Sequence, residues 1–470
     1  MNALSRRRFL RGSLIAVAGV LAASCQPKVV EKVVERTVEV EKVVEKVVEQ
    51  TVEVEKIVTQ EVIKAADPGP KMTVWAPKHF IQAQNDYFTD SVLLAAARNN
   101  FEAEVQLFPW GDYQQKQNAA IEAKTLPDII LGINVARYSA MDILEDVDDL
   151  FQEIGASGGG WFEANEANVK IDGKAVGIPF HNEPQVMYYR ADIFAEAGYE
   201  APPKDLDEFV EMTKAVTDPS SGIYGFGNTF SDVPDGNNIF WGFLWAFGGK
   251  VQDENGEIAF NSQESIDALT WYTDLYLTHK VMPEAVTGWD DTGNNKAWLA
   301  GQCACIYNSG SILNSMRTDD PGFAEHVVVG PTPAGPAGPK TYQGGSTAGI
   351  MKGTKSFEQA AAIIREILSP ERYPNNLRSA GGMFYPVLKN YESDPFFQDD
   401  PWNKATAAMV QYAQFAHQPG PITAWIDEIG GKWTFSRMAA KVALSGVSPA
   451  QAVEEAAAEM AEMKAKYENI

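Results

Sequence analysis

Residues 71–470 predict an α/β fold, because short apolar segments alternate with segments of helical spacing. The composition agrees with a globular protein, since 45% of the 470 residues are hydrophobic and 22% are charged. No internal apolar run approaches the roughly 20 residues that a membrane-spanning helix needs. The length suits two or three compact units rather than one small domain.

The first strands and helices follow one another in strict alternation. Apolar strands are expected at 71–76, 104–108 and 128–132, with helical segments at 91–99 and 113–124 between them. This order implies parallel strands joined by crossover helices. In such sheets the functional groups lie in loops at the carboxyl ends of the strands.

Residues 1–24 have the layout of an export signal, with a basic start followed by a short stretch of apolar and small residues. The basic part, Ser5 to Leu10, resembles a twin-arginine signal, which implies export after folding. An ordinary secretion signal that contains adjacent arginines is the alternative. Either interpretation predicts an exported protein.

Cys25 ends a segment, Ala22-Ala-Ser-Cys25, that resembles a lipoprotein cleavage box. The residue three positions before the cysteine is alanine rather than the usual leucine. Cleavage there would remove four arginines and no acidic residues, so the net charge would change from −24 to −28. A surface this acidic repels phosphate backbones and argues against nucleic-acid binding.

Residues 28–64 repeat with a period of fourteen residues, which is two heptads. Valine and threonine occupy the a and d positions, and Lys–Glu pairs lie on the outside. The repeat predicts a stalk, within a tether of residues 25–70, that is either a self-associating coiled coil or a charged spacer. It would reach about 55 Å as a helix or about 120 Å when extended. Residues 65–70 are expected to break any regular structure.

The three cysteines are too few for a disulfide scaffold or a four-cysteine zinc site. Cys303 and Cys305 lie two residues apart in an apolar segment. Buried free thiols are the expected arrangement, and a two-cysteine metal or redox site is the alternative. No metal and no cofactor are expected.

Several segments are informative through their order along the chain. They are Lys124–Ile130, Ala175–Phe180, Met187–Gly198, Pro202–Phe209, Ala246–Gly249, Ala297–Tyr307 and Gly344–Met351. In order and spacing these segments resemble the extracellular solute-binding proteins of ABC transporters, family 1, the maltodextrin or sugar-binding type. The resemblance covers essentially all of residues 71–470.

The resemblance implies a periplasmic-binding-protein-like fold of type II, in which two α/β lobes face each other across a cleft. Three hinge segments are expected to join the lobes, near 179–183, 329–333 and 370–374. The expected lobes are 71–180 with 330–372, and 181–329 with 373–470.

Sugar rings have a flat apolar face and a rim of hydroxyl groups, so aromatic platforms and planar polar side chains bind them. Such residues follow the predicted strands or lie near the hinge. The candidate ligand-binding residues are Trp75, Lys78, Trp110, Asp112, Glu183, Trp241, Trp245, Trp289, Asp290, Asn308, Ser346 and Trp425. The resemblance implies that Trp425 is a stacking ring from the second lobe. The spacing of Trp245 with Trp241 also fits the core face of a helix.

The sequence therefore predicts a lipid-anchored binding protein on the outer face of the cytoplasmic membrane, extracellular or periplasmic. It would capture a mono- or oligosaccharide between its lobes and deliver it to the permease subunits of an ABC importer. A polyol, a glycerophosphodiester or a polyamine is the alternative ligand, and a secreted carbohydrate-active enzyme is the rival class. No enzyme is expected, because none of the five histidines forms a His-Glu-x-x-His motif and residues 344–349 miss Gly-x-Ser-x-Gly.

Overall fold

The computed structural model describes residues 69–467, so the predictions for the export signal, Cys25 and the repeat lie outside the described residues. The strands are β1 (Gly69–Lys78), β2 (Phe101–Pro109), β3 (Ile129–Leu131), β4 (Lys170–Ile171), β5 (Lys174–Ala175), β6 (Ile178–Pro184), β7 (Val186–Arg190), β8 (Cys305–Asn308), β9 (Val327–Gly330), β10 (Thr341–Ile350) and β11 (Ala413–Gln414).

The helices alternate with these strands in the first part of the chain and dominate its later part. They are α1 (Gln82–Arg98), α2 (Trp110–Ala123), α3 (Val135–Ala140), α4 (Asp148–Ser157), α5 (Glu163–Ala167), α6 (Ala191–Glu196), α7 (Leu206–Val216), α8 (Pro234–Ala246), α9 (Gln263–Leu277), α10 (Gly293–Leu299), α11 (Ser311–Asp319), α12 (Pro321–Ala324), α13 (Phe357–Ile367), α14 (Tyr373–Ser379), α15 (Pro395–Gln398), α16 (Pro401–Ala408), α17 (Ala424–Gly431), α18 (Thr434–Ser445) and α19 (Pro449–Tyr467), with 3₁₀ turns at Glu284–Thr287, Lys389–Tyr391 and Met409–Tyr412.

The larger sheet has the order β11-β10-β3-β1-β2, and β6 pairs with β10. Strand β1 is parallel to both β2 and β3, with Val74 opposite Val105 on one side and Ile129 on the other. This confirms the predicted parallel strands with crossover helices. β1 begins at Gly69, which pairs with Phe101, so the predicted break in structure up to residue 70 was wrong by two residues.

Asp128 directly precedes β3 and links the start of this strand to β1 and to residues 354–355 by hydrogen bonds. Its carboxylate accepts hydrogen bonds from the Thr73 amide at 2.7 Å, the Lys355 amide at 2.9 Å and the Thr354 hydroxyl at 3.0 Å. These bonds hold the pKa of Asp128 below its ordinary value although burial opposes them. The residue therefore stabilises the sheet.

Buried side chains form separate cores, and these define two lobes. The first lobe contains the core built from residues 72–180 and 348–397. The second lobe contains the cores built from residues 186–327 and 409–463, around the antiparallel sheet β8-β7-β9. Cys303 and Cys305 are buried free thiols in the second lobe, as predicted.

Two long connections cross between the lobes side by side. β6 leads through Gln185 into β7, and β10 runs back antiparallel to β6, with Gly344 opposite Glu183. The third connection differs from the prediction. Residues 373–397 pack into the first core rather than the second, because Tyr373 donates a hydrogen bond to the Phe180 carbonyl at 3.0 Å and is fully buried there. The chain crosses only after Phe397.

Within residues 69–467, no helix is long and apolar enough to cross a bilayer. The same residues contain no group of three or more His, Cys, Asp or Glu side chains arranged to hold a metal ion.

Candidate ligand-binding cleft

A cleft of about 810 Å³ lies where the two lobes meet, and the crossing strands β6 and β10 form part of its wall. The N-terminal ends of α2 and α3 contribute to it from the first lobe. The N-terminal part of α8, the loop before α10 and the α17–α18 corner contribute from the second lobe. A molecule in this space would contact both lobes, as closure about a hinge requires.

Seven of the twelve predicted ligand-binding residues line this cleft. They are Lys78, Trp110, Glu183, Trp241, Asp290, Asn308 and Ser346. The structure therefore brings together side chains from seven separated stretches of sequence. The last residue of β1 and the first residue of α2, directly after β2, are the first two, as the rule on the carboxyl ends of parallel strands predicted.

The other five, Trp75, Asp112, Trp245, Trp289 and Trp425, do not line the cleft. Trp75 packs edge-on against Phe108 in the first core, with ring centroids 5.1 Å apart. Asp112 is exposed on α2. Trp289 packs against the second-lobe cores. Trp75 and Trp289 therefore have structural roles in this arrangement.

Trp245 and Trp425 belong to the second-lobe core and are only 4% and 3% exposed. Trp245 lies on the core face of α8, with its ring centroid 5.3 Å from that of Trp241. Trp425 lies in the first turn of α17 and faces inward together with Ile426 and Ile429. The prediction of Trp425 as a stacking ring in the cleft was therefore wrong, because the apolar face of its helix buries the indole.

Trp433 lies just after α17 and lines the cleft, although it was not among the predicted ligand-binding residues. It lies between α17 and α18 with a φ of 55°, in the left-handed region that bulky residues rarely adopt. Such backbone strain is concentrated at functional positions. The pair Gly430-Gly431, shortly before Trp433, is the sequence signal that could have indicated a turn at which the indole faces the cleft.

Trp433, Trp241 and Tyr342 line the second-lobe side, and Trp110 lines the first-lobe side. Trp110 is half-buried and packs edge-on against His79, with ring centroids 5.7 Å apart. The cleft thus has aromatic faces on both lobes. Flat apolar rings with polar rims fit between such faces.

Amide side chains form two hydrogen-bonded groups at the hinge side of the cleft. Asn308 donates a hydrogen bond to Asn295, and its carbonyl oxygen accepts from the Ser309 amide at 2.7 Å and the Ser311 hydroxyl at 3.2 Å. The side-chain oxygen of Asn182 accepts a hydrogen bond from the Asn165 side chain, and the Asn182 amide group donates one to the Pro386 carbonyl. These bonds fix the polar groups at the cleft floor before a ligand arrives.

Five further cleft-lining side chains are buried and carry polar atoms with no hydrogen-bond partner within residues 69–467. The atoms are Gln117 Nε2, His181 Nδ1, Gln185 Oε1, Asn237 Nδ2 and Ser346 Oγ. Each of these residues is at most 6% exposed. Buried donors and acceptors normally find partners, because leaving one unsatisfied costs about 1–3 kcal/mol. They are therefore positioned to bind a polar ligand.

Carboxylates are concentrated in the cleft. Burial raises the pKa of Glu183 to about 7, and the neighbouring Asp291 adds to the rise while a hydrogen bond with Ser309 opposes it. Burial also raises the pKa of Asp291 to about 6. Asp235 has its pKa raised well above its ordinary value by burial and then by the charge of Asp291. These carboxyl groups are poorly solvated and repel one another.

Asp427 joins the two lobes at the rim of the cleft. The Arg137 amide, on α3 of the first lobe, donates a hydrogen bond to the Asp427 carboxylate on α17 of the second lobe at 3.2 Å. Burial raises the pKa of Asp427 to about 6, although this hydrogen bond opposes the shift. The contact links the lobes independently of the crossing strands.

Two α/β lobes that are joined by crossing strands and enclose a polar, aromatic-lined cleft define a periplasmic-binding-protein-like receptor. Residues 94–405 match the family model for bacterial extracellular solute-binding proteins, which is more than half of the 470-residue chain. The chain therefore belongs to the bacterial extracellular solute-binding proteins. Proteins of this family are extracellular and bind solutes.

Curated relatives and a solved structure agree with this assignment. A probable ABC transporter-binding protein of Deinococcus radiodurans is 25% identical over 50% of this chain, and the match spans 58% of that relative, less than two thirds of its length. The diacetylchitobiose-binding protein of Streptomyces coelicolor is 23% identical over 69% of this chain and 74% of its own. The maltose-bound MalE3 of T. maritima superposes with a TM-score of 0.73 at 23% identity, over 84% of this chain and all of that chain. The predicted family and fold class are confirmed.

Proposed function

We propose that this protein binds a mono- or oligosaccharide in the interlobe cleft and delivers it to an ABC importer. The observation that supports this most is the pairing of aromatic faces from both lobes with buried, unpartnered amide and hydroxyl groups in one cleft. Saccharide rings need that combination, since they present flat C–H faces and many hydroxyl groups. Relatives whose names specify diacetylchitobiose or arabinooligosaccharides agree with this ligand class.

Binding is coupled to the hinge in this proposal. The ligand contacts both lobes, so it favours the arrangement in which they are close, and the permease recognises that arrangement. The crossing strands β6 and β10 absorb the movement, and the Arg137–Asp427 contact adds a link at the rim.

A thermal-shift screen against saccharides, polyols, glycerophosphodiesters and polyamines tests the function. A ligand at one hundred times its Kd raises the free energy of unfolding by about 2.7 kcal/mol, which is easily detected. A shift confined to saccharides supports the proposal. A shift confined to polyols or glycerophosphodiesters contradicts it.

We further propose that the chain is exported and held at the outer face of the cytoplasmic membrane by a lipid on Cys25, with residues 28–64 as the spacer. The lipoprotein-like cleavage box and the repeat support this. The variant Cys25→Ser should leave the membrane fraction and appear in the soluble exported fraction. Continued membrane association of that variant would contradict the anchor.

A further inference from the structure

We propose that the ligand carries a protonated amine, which binds among Glu183, Asp235 and Asp291 on the hinge side of the cleft. This inference rests on the proposed carbohydrate function and narrows it to amino-bearing saccharides. The three carboxylates come from separate elements, namely the end of β6, the first turn of α8 and the loop before α10. The fold therefore gathers them on one side of the cleft.

These three carboxylates have no Lys or Arg partner among the described residues. The His181 imidazole lies 4.0 Å from the Glu183 carboxylate, and burial holds the pKa of His181 well below its ordinary value, so the ring stays neutral. Lys78 is the one lysine or arginine that lines the described cleft, and it is exposed at the end of β1. Three half-buried carboxylates without a Lys or Arg counter-ion are costly, and a bound cation would compensate them.

Two acceptor atoms without a hydrogen-bond partner belong to residues that line the cleft together with these carboxylates. Asp291 Oδ1 and Gln185 Oε1 are buried and have no hydrogen-bond partner within residues 69–467. Gln185 is 6% exposed, follows Glu183 by two positions and lines the cleft. An ammonium group has three donors and no acceptor, so it suits a site with spare acceptors and negative charge.

Aromatic side chains line the same cleft as the carboxylates. Trp241 and Tyr342 both line the cleft, with ring centroids 6.4 Å apart, and the indole lies on α8, two turns after Asp235. Cations are attracted to the faces of such rings. Charge, acceptors and rings thus favour a protonated amine over a neutral hydroxyl at this position.

Binding of a cation should release protons. Without ligand, Glu183 and Asp291 are partly protonated near neutral pH, and a positive charge between them returns their pKa values towards the ordinary range. The other titratable groups that act on these carboxyl groups do not change their charge near neutral pH. Each of them is either uncharged or already ionised there. They are His181, Tyr188, Tyr307, Tyr342 and Asp290.

Titration calorimetry with a matched pair of ligands tests the inference on the full chain. The β-1,4 disaccharide of glucosamine and its N,N′-diacetylated form share one ring skeleton and differ in charge. The amine form should bind about tenfold tighter or more at pH 7. Its apparent enthalpy should depend on the ionisation enthalpy of the buffer, because protons are released, and its affinity should fall at pH 5.

The variant Asp291→Asn keeps the shape of the side chain and removes one charge, so it should abolish most of the preference for the amine. Glu284→Gln, an exposed carboxylate outside the cleft, is the control and should retain the preference. Circular dichroism of both variants verifies folding. If Asp291→Asn does not fold, Glu183→Gln replaces it, with the same expectation.

The outcomes separate this inference from the function on which it rests. Equal or tighter binding of the acetylated form overturns the inference and leaves the carbohydrate function in place. Binding of spermidine without either saccharide overturns the carbohydrate function and supports the cation site. Binding of none of the three probes overturns the inference.

Discussion

At the scale of residues, Trp425 and Trp433 lie eight positions apart but have different environments. Trp425 is buried in the second-lobe core, whereas Trp433 lines the cleft. Trp433→Ala should weaken saccharide binding about tenfold or more, because a stacking face is lost. Trp425→Ala should instead lower the free energy of unfolding by about 3–5 kcal/mol, as truncation of a buried indole does. Calorimetry and denaturant unfolding of both variants check this.

The two variants serve as controls for each other. The assignment of Trp433 to the cleft would be refuted if its alanine variant bound as tightly as the unaltered protein. If Trp425→Ala lost affinity while its stability stayed unchanged, Trp425 would be a ligand-binding residue, as the sequence predicted.

The carboxyl group of Glu183 makes stability depend on pH in a defined direction. Its folded pKa, about 7, lies above that of an unfolded glutamate, so the folded protein binds more protons between roughly pH 4.5 and 7. The free energy of unfolding therefore falls as the pH rises through this window, and Asp291 and Asp427 act in the same direction. Urea denaturation at pH 5 and pH 7 measures the difference.

Glu183→Gln removes this contribution. The variant should lose less stability between pH 5 and pH 7 than the unaltered protein does. An identical pH dependence in both proteins would show that Glu183 is not held in the poorly solvated position described above.

Single residues also show what the sequence could and could not predict about the site. Lys78, Trp110 and Glu183 were found because they lie at or directly after the ends of strands or of the hinge segment, and position in the sheet determines where a strand end lies. Trp75 and Trp425 were misplaced because a tryptophan beside a polar loop has the same sequence pattern whether it faces the cleft or the core. That choice depends on which face of the element packs inward.

At the scale of elements, the crossing strands β6 and β10 require glycine where they approach closely. Gly345 has a φ of 149°, and a Cβ there would lie 2.4 Å from the His181 carbonyl oxygen. Gly345→Ala should cost about 1–3 kcal/mol of unfolding free energy and weaken ligand binding, since the strands must separate. Thermal unfolding and calorimetry check both effects.

Gly288→Ala is the matched control, because Gly288 is exposed, has a φ of −135° and has open space around it. It should leave stability and affinity close to those of the unaltered protein. Equal behaviour of the two alanine variants would contradict the close approach of the crossing strands.

The elements themselves were predictable to different degrees. The first three strands are short apolar runs separated by helical spacing, so their existence and parallel order follow from local pattern. The side on which residues 373–397 pack did not follow, because it depends on long-range contacts such as the bond from Tyr373 to Phe180. The prolines near residue 370 mark a turn and do not show which lobe follows it.

At the scale of the whole molecule, one ligand must contact both lobes at once if its binding is to close them. The cleft is lined from the first lobe by Trp110 and from the second by Trp433, with β6 and β10 between them. Domain closure follows from this geometry, since a ligand favours the arrangement in which both faces reach it.

Amide hydrogen exchange with and without the saccharide found by the screen tests this claim most directly. Bound ligand should slow exchange in the first-lobe segment 110–117, in the second-lobe segment 430–436 and in the crossing segment 341–347. Protection restricted to one lobe, or located away from the cleft, would contradict the account.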